Sequence, residues 1–278
     1  IRIKQSGPMH TIQDIGRFGF ASQGVAHAGP MDSIAACWTN WILGNPVNSP
    51  FIEIGGGGLV AEFTKSANVA IAGAWGDFTL DGRPLIGPGC YPVNAGTVLK
   101  IGRLSSGLFT YFAVEGGFDM EPFLGSVATC QSDALGGADG SGNALAAGDE
   151  LSHETSQLKP LRLIPRRYLE SYQAPLMCDL IMRNSEHFDS TAIDHFFNQS
   201  YVVAREQNRM GYRLEGQTSI SARSPRYSIP VPLGGVQIPP AGQPIVLMRD
   251  HGSLGGYPII GTLTRRSLSL LAQRSAGR

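Results

Sequence analysis

The first 150 residues alternate short β-branched or aromatic runs with Gly, Pro, Asn or Asp, and no other feature constrains the fold as much. The runs are Phe51 to Ile54, Leu59 to Phe63, Val69 to Ala72, Phe78 to Leu80, Val98 to Ile101 and Leu108 to Val114. Strand-length runs at this spacing predict an all-β sandwich or barrel. The turn chemistry agrees. Asp81-Gly82 and Asn94-Ala95-Gly96 supply the positive φ that tight connections need, and Pro84, Pro88 and Pro92 confine their segments to edges or loops. With 36 Gly and 18 Pro in 278 residues, the chain is rich in turns throughout.

Helices interrupt this pattern. From Asp32, a good N-cap, the apolar positions Ile34, Ala35, Trp38, Trp41 and Ile42 recur at three- and four-residue spacing until Gly44-Asn45-Pro46 stops the helix. Such a helix lies against a barrel. Two more are expected, from Ser190 through Phe197 and from about Arg265 to Gln273. Between Ser152 and Pro175 the strand pattern lapses, with Pro160, Pro165 and the pair Arg166-Arg167. This places a first domain at 1–155, a linker at 156–175 and a second domain at 176–278. The second half offers strands at Asp179 to Met182, Tyr201 to Arg205, Tyr212 to Leu214, Gly235 to Ile238 and Pro244 to Met248. Arg17-Phe18-Gly19-Phe20 and Arg209-Met210-Gly211-Tyr212 both read Arg, apolar, Gly, aromatic, a hint of a duplicated β-domain.

Several function classes are excluded. The 22 basic and 22 acidic side chains balance, and no Lys/Arg block exists to collect phosphates, which argues against nucleic acid. No apolar run has the roughly 18 residues of a membrane span, so the expectation is a protein of the cytoplasm that meets no membrane. Four well-separated cysteines form no C-x-x-C pair and read as reduced thiols. The six His form no H-x-H or H-E-x-x-H pattern, and no metal site is expected. Gly-Lys-Ser/Thr is missing, so the chain has no phosphate loop of its own. Ser253, in His251-Gly252-Ser253-Leu254-Gly255, lacks the first Gly of a nucleophile elbow.

Charged residues make up 16% of the chain, against about 25% in an average protein, and this deficit predicts a face covered by a partner. Three segments carry candidate chemistry. In the first, Asp14 and Arg17 can pair to pin a loop, the reading the residues favour, or Asp14 can orient Arg17, whose planar fork suits a carboxylate or phosphate. Asp32 reads as a cap. In the second, strand parity puts Arg209 and Arg213 on one face, opposite Tyr212, with either Glu215 or a substrate carboxylate to balance them. In the third, Gly235 to Pro240 leads to Asp250-His251 and then Gly255-Gly256-Tyr257-Pro258. An acid and an imidazole beside a double glycine is a place for proton transfer, and equally a common exposed turn.

Together, in this order, these segments resemble the carboxyltransferase-domain family, also called allophanate hydrolase subunit 2. The matching stretches are Gln13 to Arg17, Gly29 to Asp32, Asn40 with Gly44-Asn45-Pro46, Glu53 before the glycine run, and Gly116-Gly117-Phe118. They continue through Leu124-Gly125-Ser126, Gly148-Asp149, Asn208 to Gly216, Gln237 to Pro239, and Asp250 with Gly255 to Pro258. The family includes the C subunit of 5-oxoprolinase, the antagonist of a sporulation-kinase inhibitor, and a region of urea carboxylase.

The resemblance implies a mainly β chain of two packed cyclophilin-like β-barrel domains with a few short helices. It implies a protein that works with A-like and B-like partner subunits to open 5-oxoproline, a lactam, to L-glutamate. ATP would act in that complex, with no cofactor bound by this chain alone. Two alternatives accompany it: a biotin-dependent carboxyltransferase for urea or a urea-like amide, and a non-catalytic module that sequesters a B-like kinase inhibitor. The site residues expected are Asp250, His251 and Arg209 for catalysis, and Asp14, Arg17, Asp32, Asn40, Tyr212, Arg213, Gln237, Gly255, Gly256 and Tyr257 for substrate. The chain also departs from the family pattern. Gly252-Ser253-Leu254 stands where members usually carry Gln-Thr-Thr, Ser228-Ile229-Pro230 where Ser-Glu-Gly is usual, and Asn184-Ser185 where Gly-Pro is usual. The strand that normally follows the C-terminal helix is also missing from the pattern.

Overall fold

Strands Phe51–Gly55, Ala67–Gly73 and Phe109–Val114 are buried along essentially their whole length, so both of their faces must be covered. In the computed structural model, which describes residues 1–182, 185–223, 225 and 227–277, the covers are a second sheet and a helix. These three strands are neighbours in a six-stranded sheet ordered Arg162–Leu163, Gly89–Val93, Ala67–Gly73, Phe109–Val114, Phe51–Gly55, His10–Gln13. A five-stranded sheet runs Arg2–Gln5, Gly57–Glu62, Val98–Leu104, Gly76–Leu80, Arg83–Pro84. All pairings are antiparallel.

One core joins the two sheets. Leu59, Ala61, Phe78, Leu99 and Ile101 from the five-stranded sheet meet Ile52, Ile54, Val69, Ile71 and Phe112 from the six-stranded one. Phe112 packs edge-on against both Phe63 and Phe118, 6.0 and 6.2 Å between centroids. The other face of the six-stranded sheet carries helix α1, Ser33–Leu43, against Ala67–Gly73 and Phe109–Val114. As the sequence predicts, Asp32 caps α1 by accepting from Ile34 N and Ala35 N, and Gly44 ends it at φ 81°. Gly57 sits at φ 84°, and a side chain there would collide with the carbonyl of Gly102 on the neighbouring strand.

The chain divides into two units: unit 1, Ile1–Phe18 with Ala28–Ala174, and unit 2, Gly19–His27 with Pro175–Arg278. Residues 156–174 therefore group with the first barrel-like body, and the short segment 19–27 with the second. Unit 2 holds a six-stranded antiparallel sheet ordered Leu180–Met182, Ile259–Leu263, Gly235–Gln237, Ile245–Leu247, Gly211–Gly216, Tyr201–Gln207. Helices α2, Ser190–Phe197, and α3, Arg265–Ala272, fall where the sequence predicts them. Helix α3 packs on Ile259–Leu263 through its buried face of Leu268, Leu270 and Leu271.

Two of the family departures meet. Ile229–Pro230 pairs with Leu254–Gly255 as a separate two-stranded sheet, with Ile229 opposite Gly255 and Pro230 opposite Leu254. The third departure begins at Asn184, which lies outside the described residues.

Candidate functional site

Arg209 and Asp250 form a largely buried polar pair in unit 2. Arg209 Nε donates to Asp250 Oδ2 at 2.8 Å and Nη2 to Oδ1 at 2.9 Å, a two-pronged contact between side chains 16% and 5% exposed. The backbone sets it up. Asn208 Oδ1 accepts from Met210 N and Gly211 N, a turn that holds Arg209 just outside strand Gly211–Gly216, while Asp250 N donates to Arg209 O. This corrects the strand-face reading of Arg209 and Arg213. Arg209 precedes the strand, and its partner is Asp250 instead of Glu215. Arg213 is half-buried within the strand and makes no ion pair among the described residues.

His251 follows directly and is 7% exposed. Its Nδ1 lies 2.7 Å from Gly252 O; a carbonyl only accepts, so Nδ1 carries the proton and Nε2 the lone pair. Burial pushes its pKa below the ordinary 6.5, against a raising contact from the Gly252 carbonyl; the nearby His27 and Arg249 lower it further and Asp250 raises it. The ring is therefore a neutral base at pH 7. His27 comes from the segment 19–27 and is itself held low by burial and then by Arg249. No sequence signal marked His27, since 224 residues separate it from its neighbour in space.

Gln237 is 6% exposed, and its Nε2 has no hydrogen-bond partner among the described residues. A Cβ on Gly255 would collide with that same amide nitrogen, so Gly255 keeps open the space above the Gln237 donor. Gly256 and Tyr257 follow on the surface, Tyr257 41% exposed. Tyr212 has a different place from the one expected. Its ring is 1% exposed and its hydroxyl donates to Ala272 O of α3, which makes it a core side chain.

In unit 1, Asp14 ties loops together. Its Oδ1 accepts from Gly16 N and Ser126 Oγ, and its Oδ2 from Val127 N. Arg17, 1% exposed, donates to Phe123 O and Ser126 O, so both residues converge on one loop 112 positions from Asp14. The fully buried Asn40 corrects a second expectation. Its Nδ2 donates to Ser49 O and Val47 O and its Oδ1 accepts from Asn45 Nδ2, a clamp on the exit from α1 that uses both amide protons.

Asp32 joins its cap to a second acid. Tyr172 donates to Asp32 Oδ2 at 2.9 Å; Tyr111 accepts from Asp32 N and donates to Glu53 Oε2, which also accepts from Met31 N. Burial, then Glu53 and Asp32, push the Tyr111 phenol well above 10, so it stays a donor. Glu53 was readable as the lone acid of Phe-Ile-Glu-Ile-Gly, an all-buried strand. Asp32→Ala should lower stability by about 2 kcal/mol, the top of the range for a lost N-cap, in chemical denaturation, while Asp32→Asn retains most of it. Equal losses in the two variants would show that the Tyr172 contact, not the cap, governs the position.

Among the described residues, no group of three or more His, Cys, Asp or Glu could hold a metal ion. No helix among them is long and apolar enough to cross a membrane.

The model of the carboxyltransferase domain, subdomain A and B, matches residues 23–278. The chain belongs to the carboxyltransferase domain family. This carboxyltransferase-domain chain is 35% identical to the C subunit of 5-oxoprolinase from Haemophilus influenzae over 279 residues, covering 96% of the chain and 85% of that protein. It is 30% identical to urea amidolyase of Saccharomyces cerevisiae over 92% of the chain but 15% of that protein. The solved structure of TTHA0988 superposes with a TM-score of 0.85 at 30% identity, over 99% of the chain. The chain spans about half of that solved protein, 53% of its length.

Proposed function

We propose that this chain is a C-type component of a 5-oxoprolinase, acting with A-like and B-like partners in the ATP-dependent opening of 5-oxoproline to L-glutamate. The observation that carries this reading is its likeness to the 5-oxoprolinase C subunit over 96% of the chain and 85% of that relative. Opening a lactam adds water across the amide: a C–O bond forms, the C–N bond breaks, and protons move from water to the departing amine. His251 Nε2 is the proton acceptor of this scheme. Asp250 holds Arg209 in a fixed orientation, which makes Asp250 a positioning residue. Arg209 and Arg213 are the anchors offered to the substrate carboxylate, and Gln237 Nε2 beneath Gly255 donates to the lactam oxygen. ATP enters through the partners, since the sequence has no Gly-Lys-Ser/Thr loop. Exposed apolar side chains such as Met177 at 90%, Tyr227 at 80% and Trp41 at 70% give partners something to cover.

Reconstitution tests this directly. The chain mixed with its A-like and B-like partners should give ATP hydrolysis that depends on 5-oxoproline, and omission of this chain should abolish it. Unchanged turnover without the chain would sink the proposal.

The likeness to urea amidolyase supports a second reading, transfer of a carboxyl group from biotin to urea or a related amide. Specific capture of a biotinylated carrier domain, with no 5-oxoproline turnover, would favour it. A complex with a B-like partner that forms and never turns over either substrate would point to a sequestering module.

A further inference from the structure

All three tryptophans of the chain gather in unit 1. Trp38 and Trp75 line a cavity of about 340 Å³ between α1 and residues 166–173, and Trp41 packs edge-on against Trp38 at 5.0 Å. Tyr168 and Tyr172 complete its aromatic wall. Trp38 and Tyr168 lie 5.4 Å apart and tilted by 37°, and the Tyr172 hydroxyl is fixed on Asp32 at the start of α1. The lining therefore has rigid rings on several sides. Two charges complete it, the exposed Arg166 and the half-buried Glu170. Arg166 makes no ion pair among the described residues, whereas its neighbour Arg167 lies over the Tyr168 ring at 4.8 Å.

Each part selects for something. Flat aromatic walls favour a planar ring, which gains dispersion contact with little entropy loss. An unpaired guanidinium favours a carboxylate or phosphate, and a carboxylate in the same wall accepts from an N–H in the ring or on an amine attached to it. The volume lies at the small end of ligand pockets and fits a single ring system with a short substituent. We propose that this cavity binds a small heteroaromatic anion: a planar ring with an N–H donor and a carboxylate or phosphate. The cavity is lined by residues of unit 1 alone, whereas Arg209, Asp250 and His251 belong to unit 2, so its test does not depend on the reaction assigned above.

Because every tryptophan is in or beside the cavity, intrinsic fluorescence of the whole chain reports on it. Titration with adenosine 5′-monophosphate tests the nucleotide source of this chemistry, and indole-3-acetate tests the carboxylate source. One of the two should give saturable heat in calorimetry, and tryptophan emission is read for the monophosphate alone, because indole-3-acetate emits in the same band. Arg166→Gln, on an exposed turn, should leave the far-ultraviolet circular dichroism unchanged and weaken binding about tenfold, the worth of one charge-assisted contact. Adenosine, which lacks the anion, should bind as weakly to the native chain as the monophosphate binds to the variant. No saturable change with either probe, or equal affinity in native and Arg166→Gln proteins, would overturn the proposal.

Discussion

Arg209→Ala will destabilise unit 2 by about 3–5 kcal/mol, the cost of removing one partner from a buried ion pair. The size follows from burial: Asp250 is 5% exposed at its side chain and receives two N–H bonds from Arg209, at 2.8 and 2.9 Å. Alanine leaves that carboxylate under protein with neither bond replaced. Water cannot take over without opening the turn in which Asp250 N donates to Arg209 O. The double variant Arg209→Ala with Asp250→Ala should recover much of the loss, since the uncompensated charge is then gone. Chemical denaturation followed by circular dichroism measures both. A loss below about 1 kcal/mol for the single variant would place the pair in the surface class and contradict the burial argument.

The parts of this structure that were readable from sequence are those decided by neighbours along the chain. Helix α1 was legible from Asp32 to Gly44 because its cap, its apolar spacing and its stop all lie within it. The buried strands Phe51–Gly55 and Phe109–Val114 were legible because they are apolar on both faces. Strands Arg2–Gln5 and His10–Gln13 were not foreseen. The first is polar with a single buried residue, and the second buries His10, Thr11 and Gln13, so neither shows the alternation that identifies a strand. Gly89–Val93 was hidden by Pro92, tolerated because the two-residue partner Arg162–Leu163 pairs only with Gly89 and Cys90.

The polar groups behaved in the same way. The partners the sequence offered were near neighbours, Arg17 for Asp14 and Glu215 as one choice for Arg209. The structure instead takes Asp14 to Ser126 and Val127, and Arg209 to Asp250 across 41 positions. Side-chain partners are chosen by strand order, which a single sequence does not display. Only a resemblance that spans the whole chain carried the site forward, and it named Tyr212 and Asn40, which packing and clamping explain without a substrate.

His251→Gln should lower the 5-oxoproline turnover of the reconstituted complex by about a hundred- to ten-thousand-fold, the range for loss of a positioned base. Glutamine keeps a donor for the Gly252 carbonyl and roughly the same volume, so folding is largely spared while the Nε2 lone pair is removed. The pH profile gives a second, sharper readout. In the folded chain the imidazole pKa is depressed, first by burial and then by His27 and Arg249, so the neutral form persists below 6.5. Turnover should therefore hold on the acid side of 6.5 and fall only as pH passes through that lowered value. The sign of each neighbour then follows. His27→Gln removes a cation-forming neighbour that lowers the pKa, so the acid limb should move up in pH; Asp250→Asn removes an acid that raises it, so the limb should move down. Stability has the same dependence on this group: its contribution is complete above 6.5 and is lost as pH falls from 6.5 toward the folded-state pKa, because the unfolded chain takes up the proton first. If the acid limb stays in place in His27→Gln while turnover is intact, His251 is not the group that titrates, and the base must be sought elsewhere in the complex.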